Sequence, residues 1–254
     1  MNRREFLVGS IAAGSVLPAP TAAAAGRQRR SGGGETVTDQ GKLAGLALDE
    51  LRALYRYDLF DDFLPFMERH VIDHQHGGFM CNTDRHGRNI TQTKTTWYEG
   101  RGIWVYSFLY SRLAKEQKHL EVARRSVDFI LRARSSGEKA WPKTFTREGK
   151  ALTGPDTAIY GDLFVAEGLA EYSAAVGEKK YWDMAKDIVL KCVAIYDRPD
   201  YEPTIGETYL GPGAKSFPGA RIQGVWMVLV RVITQMLEKR PDRDLEQIAD
   251  RCVS

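Results

Sequence analysis

The sequence predicts an all-α protein whose helices form two layers around a ring, an α/α toroid. Apolar residues recur at helical spacing, strand signals are almost absent, and helices with a charged face alternate with helices that carry few charges. A helix that is apolar around most of its circumference must be covered on most sides. Alternation of exposed and covered helices is therefore what a ring of helical hairpins requires.

Six helices are predicted in chain order, and a seventh begins near the end. Those with one charged face are predicted at about 43–72, 118–134 and 179–194, and the covered helices at 99–111, 158–175 and 221–237. In the last of these, Arg221 and Arg231 are the only charges. The segment 242–252 begins a seventh helix that has no glycine cap or proline stop before Ser254.

The first 25 residues are predicted to be a twin-arginine export signal. Arg3 and Arg4 precede an apolar stretch rich in Ala and Gly, and the alanines at 22–25 offer a small-residue cleavage site. The apolar part, 8–17, is shorter than the roughly 20 residues that span a bilayer. A short amphipathic or membrane-anchoring N-terminus is the alternative. The export signal predicts a periplasmic or secreted protein without membrane attachment after signal removal.

Residues 26–41 are rich in Arg, Gly and Ser and predict a flexible linker, so the folded part is expected at 42–254. The 36 Lys and Arg residues nearly balance 33 Asp and Glu, and no long block of one sign occurs. Charge therefore gives no reason to expect a nucleic-acid partner. Three distant cysteines provide neither a disulfide framework nor a zinc knuckle, and we interpret them as small apolar residues.

Two long, polar, glycine-containing loops are predicted at 76–89 and 141–154. If both reach the same rim of the helical ring, a ligand site is expected there. The second loop could form a short hairpin around Glu148 and Gly149. His74 and His76 superficially suggest a metal pair, but no third ligand is suitably spaced, so no metal is predicted. His70, His86 and His119 are expected on the surface or in loops.

Several short motifs, in order, carry a resemblance to a known family. They are His76-Gly77-Gly78-Phe79, Asp84-Arg85-His86-Gly87, Lys94-x-x-Trp97-x-x-Gly100-Arg101-x-x-Trp104, Tyr160-Gly161-x-x-Phe164 and Val225-x-Met227-x-Leu229. Each is weak alone, but their order and spacing over 43–237 resemble the N-acylglucosamine 2-epimerase family, which includes cellobiose 2-epimerases and aldose-ketose isomerases. The resemblance implies an (α/α)6 barrel of twelve helices.

The resemblance also implies a chemistry, in which an open-chain sugar loses a proton at C2 and regains one on the opposite face. Two acid/base groups are needed near neutral pH, for which histidine is best suited, and a donor must hold the developing enediolate oxygen. No metal or nicotinamide is required. We therefore expect a small-molecule sugar as the partner and no cofactor.

Arg101 is the first predicted substrate-binding residue, because it is an arginine on a nearly uncharged inner helix and matches the family's arginine. The alternative is a structural salt bridge to an acidic residue: Glu99, Glu167 or Glu171. Tyr160, at the start of an inner helix, could bond a sugar hydroxyl or be an ordinary core tyrosine. Trp97 could offer its flat face to the sugar ring, whereas core packing is the favoured role of Trp104.

The chain departs from the family pattern where catalysis is concerned. The family's acid/base histidines lie on later helices, in a half of the barrel that this chain lacks, so no catalytic residue is assigned. Residue 226 is Trp where the family commonly has a small residue or proline. We expect a truncated chain that is inactive alone, although a complementing C-terminal half or a homodimer could close the ring.

Two other function classes remain open. A carbohydrate-binding or scaffold protein could have kept the ring and lost catalysis. A glycoside hydrolase or lyase on the same barrel would need paired carboxylates, and the available residues are not paired by spacing: Asp84, Asp156 and Asp162.

Overall fold

A computed structural model describes residues 41–43, 45–134, 140–203, 211, 213 and 215–254. The predicted export signal and the linker up to residue 40 lie outside the described residues and stay predictions. The chain divides into two compact units, one up to Arg69 with Arg85–Gly87, the other comprising His70–Asp84 and Arg88–Ser254. Each unit is described by itself below.

The first unit is a small hairpin followed by a helical segment. Antiparallel strands β1 (Lys42–Leu43) and β2 (Leu46–Ala47) lead into α1 (Leu48–Tyr57), π-helical turns (Asp58–Phe63) and α2 (Leu64–His70). The Glu50 carboxylate accepts the Ala47 N–H at 2.8 Å and so satisfies one of the amides that α1 leaves unpaired at its start. The first helix therefore starts five residues later than predicted, because the hairpin occupies the preceding segment.

The second unit contains the remaining helices and one two-stranded sheet. The helices are α3 (Thr96–Phe108), α4 (Gln117–Arg132), α5 (Tyr160–Val176), α6 (Lys179–Asp197), α7 (Gln223–Lys239) and α8 (Arg243–Val253). Strands β3 (Thr93–Thr95) and β4 (Thr144–Thr146) pair antiparallel. None of the helices in the described ranges combines the length and apolar character that a membrane crossing requires.

These helices form the two layers that the charge pattern predicted. Helix α5 packs between α3 and α7, while α4, α6 and α8 pack on α3, α5 and α7 respectively. Every residue of α5 from Gly161 to Ser173 is buried, which explains why its sequence is so poor in charges. The predicted two layers are thus present and α5 is covered on all sides, whereas α7, also predicted to be covered, keeps one open face on which Met227 is 65% exposed.

Helices α3 and α5 approach closely because small residues face each other. A Cβ atom on Gly100 would overlap the Phe164 carbonyl group, and one on Gly168 would lie 2.6 Å from the Gly100 oxygen. Near the start of both helices, a Cβ on Gly161 would lie 2.9 Å from the Thr96 Cγ2. The contacts advance in the same direction along both helices, so α3 and α5 run parallel with their N-termini adjacent.

The three acidic residues on covered helix α5 are each neutralised by a basic residue of a neighbouring helix. The ion pairs are Asp162–Lys191 at 2.6 Å, Glu167–Arg231 at 2.7 Å and Glu171–Lys239 at 2.7 Å. Because later residues of α5 meet later residues of α7, these two helices also run parallel. Charges on a covered helix are therefore tolerated because each is paired.

Outside the inner helices, the predicted hairpin is present, whereas His119 does not lie where it was expected. The hairpin in the second loop is confirmed, since the Thr146 N–H donates to the Lys150 oxygen at 2.8 Å and Gly149 adopts a φ of 102° in the turn. The expectation for His119 was wrong: it lies on α4, is buried, and its ring centroid is 6.0 Å from that of Tyr106. The three cysteines are free, and Cys192 is fully buried.

Candidate functional site

Side chains of three inner helices meet beside the N-terminal half of α5. Trp97 stacks on Phe164 with ring centroids 5.9 Å apart and an interplanar angle of 19°. Farther along α3, Trp104 stacks on Phe108 at 5.0 Å and donates its indole N–H to the Gln235 side chain of α7 at 2.7 Å. The three parallel helices thus share one aromatic surface.

Two arginines lie over this surface. The Arg101 guanidinium carbon is 5.7 Å from the Trp97 ring centroid and 5.2 Å from that of Phe164. That of Arg231 is 5.8 Å from the same Phe164 ring and 5.8 Å from the Trp104 ring. We call this set the arginine–aromatic wall: Trp97, Arg101, Trp104, Phe164 and Arg231.

The three carboxylates expected as alternative salt-bridge partners of Arg101 interact with other groups in the structure. Glu99 accepts the Phe79 N–H at 3.1 Å, Glu167 pairs with Arg231, and Glu171 with Lys239. Within the described ranges, no carboxylate lies within ion-pair distance of Arg101, which is exposed. An exposed guanidinium stacked on aromatic rings keeps its N–H donors available for a ligand.

Glu167 lies beneath the wall and couples electrostatically to both arginines. Burial raises its carboxyl pKa, and the charges of Arg231 and Arg101 oppose that rise. Arg231 contacts it through Nε at 2.7 Å while 40% of the Arg231 side chain stays exposed. The wall therefore carries two positive charges and one buried, partly compensating carboxylate.

Tyr160 begins α5, at the N-terminal end of the same layer. Its hydroxyl reaches the first turn of α7, where a Cβ on Gly224 would overlap it. The preceding residue, Ile159, has a φ of 56°, a left-handed conformation that β-branched residues rarely adopt. The Ile159 N–H donates to the Asp156 oxygen at 3.1 Å. This strained turn fixes where Tyr160 enters α5.

The His76–Phe79 loop is anchored by a buried ion pair. Lys94 and Asp73 lie 3.0 Å apart with both side chains fully buried, and Lys94 also donates to the Gly77 oxygen at 2.5 Å. Arg147 donates two hydrogen bonds to the Asp73 carboxylate, from Nε at 2.9 Å and from Nη2 at 3.0 Å. The hydrogen bonds from Arg147 and Lys94 hold the pKa of the Asp73 carboxyl well below its usual range, outweighing the opposing effect of burial.

Glu99 connects this loop to α3. Complete burial raises its carboxyl pKa to about 8, against the lowering effects of Lys94 and of the Phe79 N–H. Phe79 is itself buried and stacks on Tyr106 at 5.6 Å. The polar cluster therefore fixes the loop that precedes α3 and does not face the wall.

Some members of the wall are recognisable from the sequence and others are not. Arg101 and Trp97 are brought together as a pair, and Tyr160 directly precedes Gly161, where a Cβ atom would lie 3.6 Å from the Trp97 backbone nitrogen. Arg231 was noted only as a rare charge on an apolar helix, the same signal that singled out Arg101. Gln235 and Phe164 gave no separate signal, because their importance depends on which helix faces which.

The other candidate groups have structural partners. Asp162 accepts the Trp141 N–H at 2.9 Å besides pairing with Lys191, and Asp84 pairs with Arg88 at 2.8 Å. In the part of the chain that the structure describes, no three His, Cys, Asp or Glu residues form a group that could hold a metal ion. Asp156 accepts the Ala158 N–H at 3.1 Å, so each of the three carboxylates considered for glycoside hydrolysis has a structural partner.

Known proteins match the larger part of this chain. A sequence profile described as N-acylglucosamine 2-epimerase matches residues 77–221. Human N-acylglucosamine 2-epimerase is 30% identical over 185 residues, covering 70% of this chain and 41% of the human protein. The bovine protein is 26% identical over 182 residues, covering 70% of this chain and 42% of its own length. The chain thus spans about two fifths of the length of these curated relatives.

Solved structures resemble the chain in fold. Cellobiose 2-epimerase from Bacillus thermoamylovorans matches with a TM-score of 0.68 at 16% identity, over 81% of this chain and 55% of that one. The enzyme from Spirochaeta thermophila matches with a TM-score of 0.68 at 20% identity, over 81% and 53%. The predicted all-α fold class, part of an (α/α)6 barrel, is confirmed.

Proposed function

The chain belongs to the N-acylglucosamine 2-epimerase family, and from this premise we propose that it binds a reducing sugar on the arginine–aromatic wall. The bound sugar is interconverted at C2 by removal and return of a proton in its open-chain form. The observation that carries the proposal is the exposed Arg101 guanidinium, stacked on Trp97 and Phe164.

Each residue of the wall has a role suited to its chemistry. Arg101 donates hydrogen bonds to the sugar oxygen that becomes negative when the C2 proton leaves. Trp97 covers an apolar face of the sugar. Tyr160, at the end of the same helix layer, donates its hydroxyl to a more distant part of the ligand.

The acid/base groups are proposed to come from outside this chain. The chain has five histidines, and none lies on α3, α5 or α7. A complementing C-terminal half would supply further inner helices and the acid/base histidines on them, which a second copy of these same helices would not, so this chain alone binds sugar without turning it over.

A catalytically inactive carbohydrate-binding protein on the same fold is the second candidate function. The same absence of histidine from the described inner helices favours it. The two candidates differ in one measurable respect, since only the first gains turnover when the ring is completed.

Binding and proton exchange test these proposals together. We expect N-acetylmannosamine, mannose or cellobiose to bind the purified chain in saturation-transfer NMR, and Arg101→Gln to weaken binding about tenfold through loss of charged hydrogen bonds. Arg240→Gln is the matched control, because Arg240 stacks on Trp182 of α6. The chain alone should not incorporate deuterium at C2 in D2O.

Binding of no reducing sugar would refute the proposed function. Deuterium exchange at C2 by the chain alone would show instead that the acid/base groups lie within it.

A further inference from the structure

We propose that the sugar bound on the arginine–aromatic wall is acidic, carrying a carboxylate or phosphate group that Arg231 and Arg101 hold together. This inference rests on the proposed function and names the substrate class of the same site. The wall itself carries the argument, in which two guanidinium groups lie 5.2 and 5.8 Å from the centroid of one phenylalanine ring.

The charge balance of the wall leaves a positive charge for a ligand to neutralise. Glu167 is the only carboxylate within ion-pair distance of Arg231 among the described residues, and it faces the wall from beneath. Arg101 has no such partner there. A neutral sugar would leave this excess charge in place, whereas an acidic sugar compensates it.

Arg231 differs from the other two bases that neutralise α5. Lys191 and Lys239 satisfy Asp162 and Glu171 with side chains only 17% and 15% exposed. Arg231 performs the same task with 40% of its side chain exposed. Lysine is thus sufficient where the need is structural, and the arginine at 231 presents additional donors to the open side of the wall.

The geometry of the two arginines suits a planar or tetrahedral oxyanion. Guanidinium groups donate pairs of parallel N–H bonds to carboxylate and phosphate oxygens. Stacking on Trp104 and Phe164 restricts the Arg231 guanidinium group, so this side chain loses less conformational entropy when the anion binds. Phe164 is buried, so the half-buried rings of Trp97 and Trp104 are the ones proposed to meet the apolar face of the sugar.

The test compares three sugars that differ only at C6: mannose, mannuronate and mannose 6-phosphate. Isothermal titration of the full chain should show at least one acidic sugar binding about tenfold more tightly than mannose at low salt. The preference should shrink as the salt concentration rises. Comparing mannuronate with mannose 6-phosphate tells which anion the wall prefers.

Variants separate ligand recognition from a structural role. Arg231→Gln should remove the preference for acidic sugars, while Arg240→Gln, with the same change in net charge, should keep it. Glu167→Gln should increase the preference, because the arginines lose their internal counter-charge. If the Arg231–Glu167 pair has only a structural role, Glu167→Gln should reduce the preference for acidic sugars, because loss of the pair would loosen the wall. Circular dichroism verifies that each variant is folded.

The possible results distinguish this inference from the proposed function. Equal affinity for mannose and both acidic sugars, or a preference that survives Arg231→Gln, overturns the inference while sugar binding stands. If mannose does not bind and mannose 6-phosphate binds no more tightly than inorganic phosphate, the inference fails, because the wall then recognises an anion without its sugar. The proposed function fails with it when N-acetylmannosamine and cellobiose also do not bind.

Discussion

Single charged residues at and just before inner helix α3 have different roles that their sequence context does not separate. Lys94 and Arg101 are seven residues apart, yet Lys94 is buried among Asp73, Gly77 and Phe129, whereas Arg101 is exposed on the wall. The sequence predicted that Arg101 needs a partner, but it could not tell that distant helices satisfy the candidate carboxylates. The packing of α5 against α7 assigns Glu167 and Glu171 to other bases, and the Phe79 N–H occupies Glu99.

Replacing Lys94 tests its structural role. Lys94→Met should lower the free energy of unfolding by about 3–5 kcal/mol, because the buried Asp73 carboxylate loses one of its two cations and the carbonyl oxygens of Gly77 and Arg147 lose a donor. Urea unfolding followed by circular dichroism measures this loss. Lys179→Met, which breaks the exposed pair with Asp183, should cost less than about 1 kcal/mol. Similar losses in both variants would contradict the assigned anchoring role.

At the scale of elements, the helices were predictable and the strands were not. Helical periodicity and charge-poor segments depend on local sequence, so both layers could be identified without knowledge of the fold. Strands β3 and β4 have three residues each and pair across about 50 positions of sequence, as in Lys94 opposite Phe145. Their pairing depends on contacts that local patterns do not encode, and only the hairpin following β4 was predictable.

The close packing of α3 on α5 gives a prediction at this scale. Gly100→Ala should destabilise the protein by about 1–3 kcal/mol, because the new methyl group would overlap the Phe164 backbone. This loss opposes the gain of roughly 1 kcal/mol that alanine brings to a helix interior. Thermal unfolding measures the difference. Gly154→Ala, where nothing lies within 4 Å of the added atom, is the control, and an equally stable Gly100→Ala would contradict the packing described.

At the scale of the whole molecule, buried carboxyl groups set the dependence of stability on pH. Glu99, with its pKa raised to about 8, stays protonated in the folded state while the unfolded chain ionises above its ordinary value of 4.5. The unfolded state then binds fewer protons, so stability falls as pH rises from about 4.5 to 8. Asp73, with its lowered pKa, acts oppositely and loses its contribution as pH falls below about 4.

Replacing Glu99 isolates its part of this profile. Glu99→Gln keeps an oxygen acceptor for the Phe79 N–H and removes the titration. At pH 8 the variant should therefore be more stable than the unmodified protein by at least about 1 kcal/mol. Near pH 4 the two should be equally stable, which urea unfolding at both pH values measures. A variant less stable at pH 8 would mean that Glu99 is ionised and stabilising there.

The parallel course of α3, α5 and α7 has an electrostatic consequence at the end where they begin. Peptide dipoles add along each helix and leave a partial positive charge at its first turn. Three such ends lie side by side near Thr96, Tyr160 and Gly224. A ligand oxygen that gains negative charge during reaction would therefore enter a favourable potential created by the backbone, before any side chain moves to meet it.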